Sequence, residues 1–254
     1  MERKYFFFDI DGTLTTPLTA DFPESTREAV RLLQERGHFV CIATGRMQCD
    51  AWQVAQSFGI SAAVSDGGNA VTLDGKILYE EGLPLEKCFR LLGDVDGEKH
   101  PWAAAPYNRK YRITTSEGYL RKVKDRYYET EVAPSFDFRT AECIRKIFIA
   151  CTKAEKEEIP LHGLPHVWFS SDTMLIEPVH KERGIFELMK RYDISDRDIV
   201  VFGDGMNDRT MFREEWMSVA MGNAKPALKE RAKYITDRAD EDGIYNACRR
   251  FGWI

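Results

Sequence analysis

The run from Lys4 to Ile10 is almost wholly apolar, and it breaks into the acidic turn Asp9-Ile10-Asp11-Gly12-Thr13. So short and apolar a run suits a strand covered on both faces, the environment of a parallel sheet. Strand and helix signals then alternate. Ser25-Thr26-Arg27-Glu28 reads as a capping box that opens a helix through Ala29, Val30, Leu32 and Leu33 to a stop at Gly37. Strand Phe39 to Ala43, helix Met47 to Phe58 and strand Ala62 to Val64 follow. The alternation returns late in the chain with helix Lys181 to Tyr192, strand Asp198 to Phe202, helix Asp208 to Glu215 and strand Ser218 to Ala220. Such alternation predicts an α/β fold with right-handed crossovers and a doubly wound parallel sheet.

Between these two blocks the pattern changes. Val71 to Leu73 and Ile77 to Tyr79 flank Asp74-Gly75, a pair suited to the positive φ angles of a type I′ hairpin. From Leu83 to Glu177 the order is a helix, a loop rich in proline and aromatics, a helix near Ser116 to Tyr128, strand Ile144 to Ala150 and a strand pair within Val167 to Ile176. The expected organisation is a Rossmann-like core of residues 1–82 and 179–254 with an α+β domain, 83–178, inserted. No apolar run approaches the roughly 20 residues of a membrane span, and Asp9 interrupts Tyr5-Phe6-Phe7-Phe8 at once. Six scattered cysteines without a CxxC pair point to buried thiols in a reducing cytoplasm. A formal net charge of −5 argues against a protein that coats nucleic acid or an anionic membrane. A phosphate ligand would therefore need a local positive site.

The polar segments sit where such a sheet gathers its chemistry. Asp9 to Thr13, Thr44-Gly45-Arg46, Lys181 and Gly203-Asp204-Gly205-Met206-Asn207-Asp208 all fall at carboxyl ends of predicted strands or at a helix start, the positions that converge on one crevice. Gly12 lets the chain turn between Asp9 and Asp11, so one carboxylate can attack while the other moves protons. A calcium loop does not fit, because Thr13 and Ala20 stand where acidic ligands belong. Asp9, Asp204 and Asp208 together concentrate hard oxygen ligands that would repel one another without a cation, and Mg2+ fits that set. Gly203 and Gly205 do not make a dinucleotide motif, since the third glycine position is Asp208. Thr44, amides at a helix entry and the Lys181 charge can hold a phosphoryl group.

In this order, DIDGT, ATGR, a downstream lysine and GDGMND resemble the four motifs of the haloacid dehalogenase-like phosphohydrolases, and the late insertion resembles the α/β cap of their Cof-type branch. Val219-Ala220-Met221-Gly222-Asn223-Ala224 and Glu241-Asp242-Gly243-Ile244 are similar to that branch as well. The resemblance implies that Asp9 is a nucleophile forming an aspartyl-phosphate, and that Asp11 is the general acid and then the base. It implies Mg2+ held by Asp9, the Asp11 carbonyl and Asp204, with Asp208 in or beside that shell. Thr44, Gly45, Lys181 and Asn207 would bind the phosphoryl oxygens. The expected activity is a Mg2+-dependent phosphatase for a small phosphorylated metabolite, a sugar phosphate or a phosphorylated cofactor. A phosphomutase of the phosphomannomutase type and a non-catalytic sugar-phosphate sensor are the alternatives.

The match departs at Ser65-Asp66-Gly67-Gly68-Asn69-Ala70, where Asn69 is either a substrate contact or part of a turn into the hairpin. Arg46 either touches substrate or pairs with a carboxylate. In the insertion, His100, Trp102, Tyr107, His166 and Trp168 are candidates for pocket lining or for internal packing.

Overall fold

The computed structural model of the chain describes residues 2–254, which form two compact units: one from the residues up to Tyr79 and from His180 on, the other from Glu80–Val179. In the first unit one sheet runs in the order Tyr234–Ile235, Met217–Ala220, Ile199–Gly203, Tyr5–Phe8, Phe39–Ala43, Ala62–Ser65, Ala70–Leu73, Lys76–Glu80. The first six strands are parallel neighbours. Ala70–Leu73 turns back antiparallel against Ala62–Ser65, and Asp74 and Gly75 beyond it take φ of 50° and 77°, as a type I′ turn requires.

Phe6, Phe7 and Phe8 are fully buried at the middle of this sheet. Trp253 from the chain's end packs edge-on against Phe6, ring centroids 5.1 Å apart. On the opposite face, Gly184 of helix Lys181–Tyr192 lies so close to Val64 that a Cβ would meet its methyl carbon at 2.4 Å. Helices therefore cover both faces, which is why Tyr5–Phe8 can be apolar at every position.

Three local expectations are corrected. The first helix is Glu24–Glu35 with Pro23 at its N-cap, so Ser25 lies inside the first turn with a buried, unbonded hydroxyl and no capping box forms. Proline's fixed φ starts the helix ahead of the serine. The segment after Gly203 is a short 3-10 turn, Met206–Met211, rather than a helix over Asp208 to Glu215. Asp208 spends its carboxylate on the amides of Asp204 and Gly205, which tightens the turn.

The helix read over Ser116 to Tyr128 is only Glu117–Lys122. Asp125 accepts a bond from the buried Arg112 guanidinium at 2.8 Å and one from the Tyr127 amide, a local turn that competes with helix. Glu129–Val132 then pairs parallel with Tyr111–Thr114. In this second unit six strands run in the order His166–Ser170, Thr173–Ile176, Lys146–Ala150, Trp102–Ala105, Tyr111–Thr114, Glu129–Val132. Helix Leu85–Asp94 covers one face through Leu91, Leu92, Ile147, Ile149 and Met174. All six cysteines are free thiols. Among the described residues no helix is long and apolar enough to cross a membrane.

Candidate active site

Parallel pairing of Phe8 with Phe202 brings the residues after both strands together at the carboxyl edge. The Asp9 amide donates to the Phe202 carbonyl at 3.1 Å, which extends the ladder by one rung and fixes the first carboxylate. Beyond it the backbone swings through Gly12, at φ +80°, where a Cβ would stand 2.4 Å from Asp204 Oδ2. Glycine is needed twice here, for its backbone angle and for the room it leaves. Gly12→Ala is expected to lower the melting temperature by a few degrees, the left-handed φ alone costing about 1–2 kcal/mol, and to weaken divalent-cation binding by displacing Asp204. Thermal denaturation and cation titration would check both, and an unaltered pair of values would count against this packing.

Asp9, Asp204 and Asp208 each place a carboxylate oxygen within 4.8 Å of the others. Lys181, fully buried, donates to Asp9 Oδ1 at 2.7 Å and to Asp208 Oδ1. Burial and then the neighbouring Asp208 push the Asp9 carboxyl well above its ordinary range, against the pull of Lys181. Burial and Asp208 likewise push Asp204 up to about 7. Burial disfavours the charge on Lys181, but Asp208 and Asp9 outweigh it and its proton is held more tightly than usual. One ammonium thus faces three carboxylates. A hard divalent cation fits these residues because all the donors are oxygens and negative charge remains uncompensated.

Asp11 is placed differently. Its side chain is 59% exposed and is gripped by both arms of the Arg46 fork, at 2.9 and 2.6 Å. Arg46 also reaches Asp50, a buried carboxylate in the first turn of helix Gln48–Ser57. Of the two readings for Arg46, pairing with a carboxylate is the one observed, and one of its partners is a member of the acidic motif. Helix Gln48–Ser57 begins one residue after the expected Met47 start, which is its N-cap, and Thr44 and Gly45 precede it. The two residues lie in a separate turn, with Thr44 Oγ1 accepting from the Arg46 amide at 3.1 Å. Asn207 is half-buried, its side-chain oxygen against Gly205.

The departing segment turns out to be a brace. Gly67 donates to the Thr44 carbonyl and accepts from the His180 amide, while Asp66 Oδ2 accepts the first amide of helix Gln48–Ser57. Gly68 passes so close to the His180 carbonyl that a Cβ would sit 1.9 Å from its oxygen. These residues tie the Thr44 turn to the start of the Lys181 helix. Asn69 receives the Arg183 guanidinium at 3.4 Å. Sequence reasoning also gave no role to Asn223, whose amide nitrogen donates to the Gly12 carbonyl at 2.7 Å. Neither role has a spacing signal, since each depends on contacts between distant loops.

In the second unit, Trp102 packs edge-on to Phe138 and His100 is buried against Glu158. Trp168 packs against the unit's core. Burial lowers the His166 pKa. Tyr107 is exposed beneath the Arg109 guanidinium.

Residues 6–248 match the profile of a family described as haloacid dehalogenase-like hydrolase. The chain is 33% identical over 261 residues to YkrA, named as a candidate phosphatase of Bacillus subtilis (strain 168), each covered over 100% of its length. It is 39% identical over 258 residues to YbjI of Escherichia coli (strain K12), named as 5-amino-6-(5-phospho-D-ribitylamino)uracil phosphatase, covering 96% of this chain and 94% of that one. Among solved structures, the subclass IIB sugar phosphatase BT4131 superposes with a TM-score of 0.81 at 26% identity, over 99% of this chain and 100% of that one.

Proposed function

The chain belongs to the haloacid dehalogenase-like hydrolases and is a phosphatase, and from that premise we propose that it hydrolyses a small phosphorylated metabolite through a phosphoryl group carried on Asp9. The observation that carries the reading is the contrast between two aspartates one residue apart. Asp9 is 3% exposed and fixed by Lys181, whereas the Asp11 side chain reaches solvent on an arginine fork. Paired carboxyl groups held in unlike environments can divide nucleophilic and proton-transfer work.

In the first step an Asp9 oxygen bonds to phosphorus, the ester P–O bond breaks, and Asp11 gives its proton to the departing oxygen. In the second, Asp11 takes a proton from water as the water oxygen bonds to phosphorus, and the acyl-phosphate bond breaks to free phosphate and Asp9. Asp9, Asp204 and Asp208, with the Asp11 carbonyl, would hold Mg2+, which supplies charge neutralisation at the phosphoryl oxygens. Thr44, Gly45, Lys181 and Asn207 orient those oxygens. The unit Glu80–Val179 contains none of these residues, and its role in the proposal is substrate selection. The relatives' named substrates support a sugar phosphate or a phosphorylated cofactor as the class.

A panel of phosphorylated metabolites assayed with and without Mg2+, scoring both free phosphate and isomerised ester, tests this. Mg2+-dependent phosphate release is expected. Isomer formation without phosphate would make the chain a mutase, and neither product would end the catalytic reading.

A further inference from the structure

Asn223 stands outside the acidic motifs, yet it touches two of them. Its Nδ2 donates to the Gly12 carbonyl at 2.7 Å and also reaches Asp204 Oδ2 at 3.4 Å, a long contact. Its Oδ1 accepts the Ala239 amide at 2.9 Å. That last bond fixes the orientation of the side-chain amide, because a backbone N–H must meet the oxygen, which turns both amide hydrogens toward the acidic loops. The segment carrying Asn223 is itself pinned. Met221 donates to the Gly203 carbonyl, Lys225 to the Asp204 carbonyl and Gly222 to the Asp237 carbonyl, all between 2.9 and 3.0 Å. A Cβ on Gly222 would sit 2.6 Å from the Arg238 amide nitrogen, so the two C-terminal segments are in backbone contact.

Resting on the reading of the site given above, we infer that Asn223 is a positioning residue that locks the Gly12 loop to Asp204 and so sets the geometry in which the aspartates receive a divalent cation. Gly12 and Asp204 come from strands far apart in sequence, and the Gly12 position leaves no slack between them. A single amide bonded to the Gly12 carbonyl and facing the Asp204 carboxylate holds that spacing without adding negative charge. Partners that orient metal ligands in this way contribute about 10–100-fold to metal affinity.

Asn223→Ala, titrated with Mg2+ by calorimetry, tests the inference. Mg2+ binding at least tenfold weaker than wild type is expected, with a kcat deficit that saturating Mg2+ largely removes and a KM for phosphate ester that changes little. Wild-type affinity in the variant, or a kcat deficit independent of Mg2+, overturns the positioning role while leaving the phosphatase reading intact. A wild-type chain that takes up no Mg2+ overturns both together. Should the alanine variant fail to fold, the wild-type protein answers instead. The side-chain amide resonances of Asn223 are expected to shift as Mg2+ is added, and resonances that stay in place overturn the inference.

Discussion

Asp9→Asn is expected to lower phosphate release by about four orders of magnitude or more while the metal-free protein melts at or above the wild-type temperature. The loss follows from chemistry: a carboxamide keeps the shape of the side chain but is not a nucleophile toward phosphorus, and removal of a nucleophile is among the largest single effects in enzymes. The gain in stability follows from the neighbours. Asp9 shares a buried site with Asp204 and Asp208 against one Lys181 ammonium, and its carboxyl is pushed up by burial and by Asp208. A carboxyl whose folded pKa lies above its ordinary 3.8 binds protons more tightly in the native state, so its ionisation costs stability as pH rises from about 4 through that folded pKa. The asparagine variant escapes this cost, and its advantage should be absent near pH 3 and present near pH 7. Denaturant midpoints with EDTA at the two pH values provide the measurement. Residual turnover above one part in a hundred would remove Asp9 as nucleophile, and a lower midpoint at pH 7 would refute the charge argument.

Lys181→Met is expected to act on both stability and activity. Methionine fills much of the same volume, but it leaves buried Asp9 and Asp208 beside half-buried Asp204 with no cation among them. Breaking a buried ion pair on one side typically costs about 3–5 kcal/mol, or on the order of 10 °C in a chain of this size. Phosphate release should fall at least a hundredfold, because an orienting charge at the phosphoryl group is gone. Added Mg2+ should restore part of the lost melting temperature by supplying the missing positive charge, and by more degrees than it adds to wild type. A variant that melts like wild type without metal would show that Lys181 does not balance the cluster.

Much of this site was readable from one dimension. Apolar strands ending in acidic or glycine-containing turns, Phe8 before Asp9 and Gly203 before Asp204, put the carboxylates at one sheet edge as soon as parallel pairing is granted. What escaped depends on contacts between loops that carry no periodicity. For Arg46, pairing with a carboxylate was one of two readings, but the choice of Asp11 as partner follows from how two loops lie across 35 positions of sequence. Asp66 and Gly67 looked like a broken motif, because Gly67 works through backbone bonds and the Asp66 carboxylate caps a helix eighteen positions earlier in the chain. In the second unit the strands Trp102–Ala105 and Tyr111–Thr114 were hidden by alanines and by the proline and aromatics between them. The long helix there failed because Asp125 serves a buried arginine instead of a helical surface.

The middle of the first sheet also dictates an order of assembly. Tyr5–Phe8 finds one neighbour soon, at Phe39–Ala43, but the other, Ile199–Gly203, is some two hundred residues away and is synthesised only after the whole second unit. Until then one edge of an aromatic strand stands open, with the exposed backbone that invites pairing with other chains. Because loop closure over such a distance must precede that pairing, the sheet belongs among slow-folding topologies. Lys181 emerges from the ribosome 172 positions after Asp9, so the Asp9 carboxylate waits for the charge that fixes it. The edge that carries the carboxylates therefore cannot close until the chain has been made past Asp204.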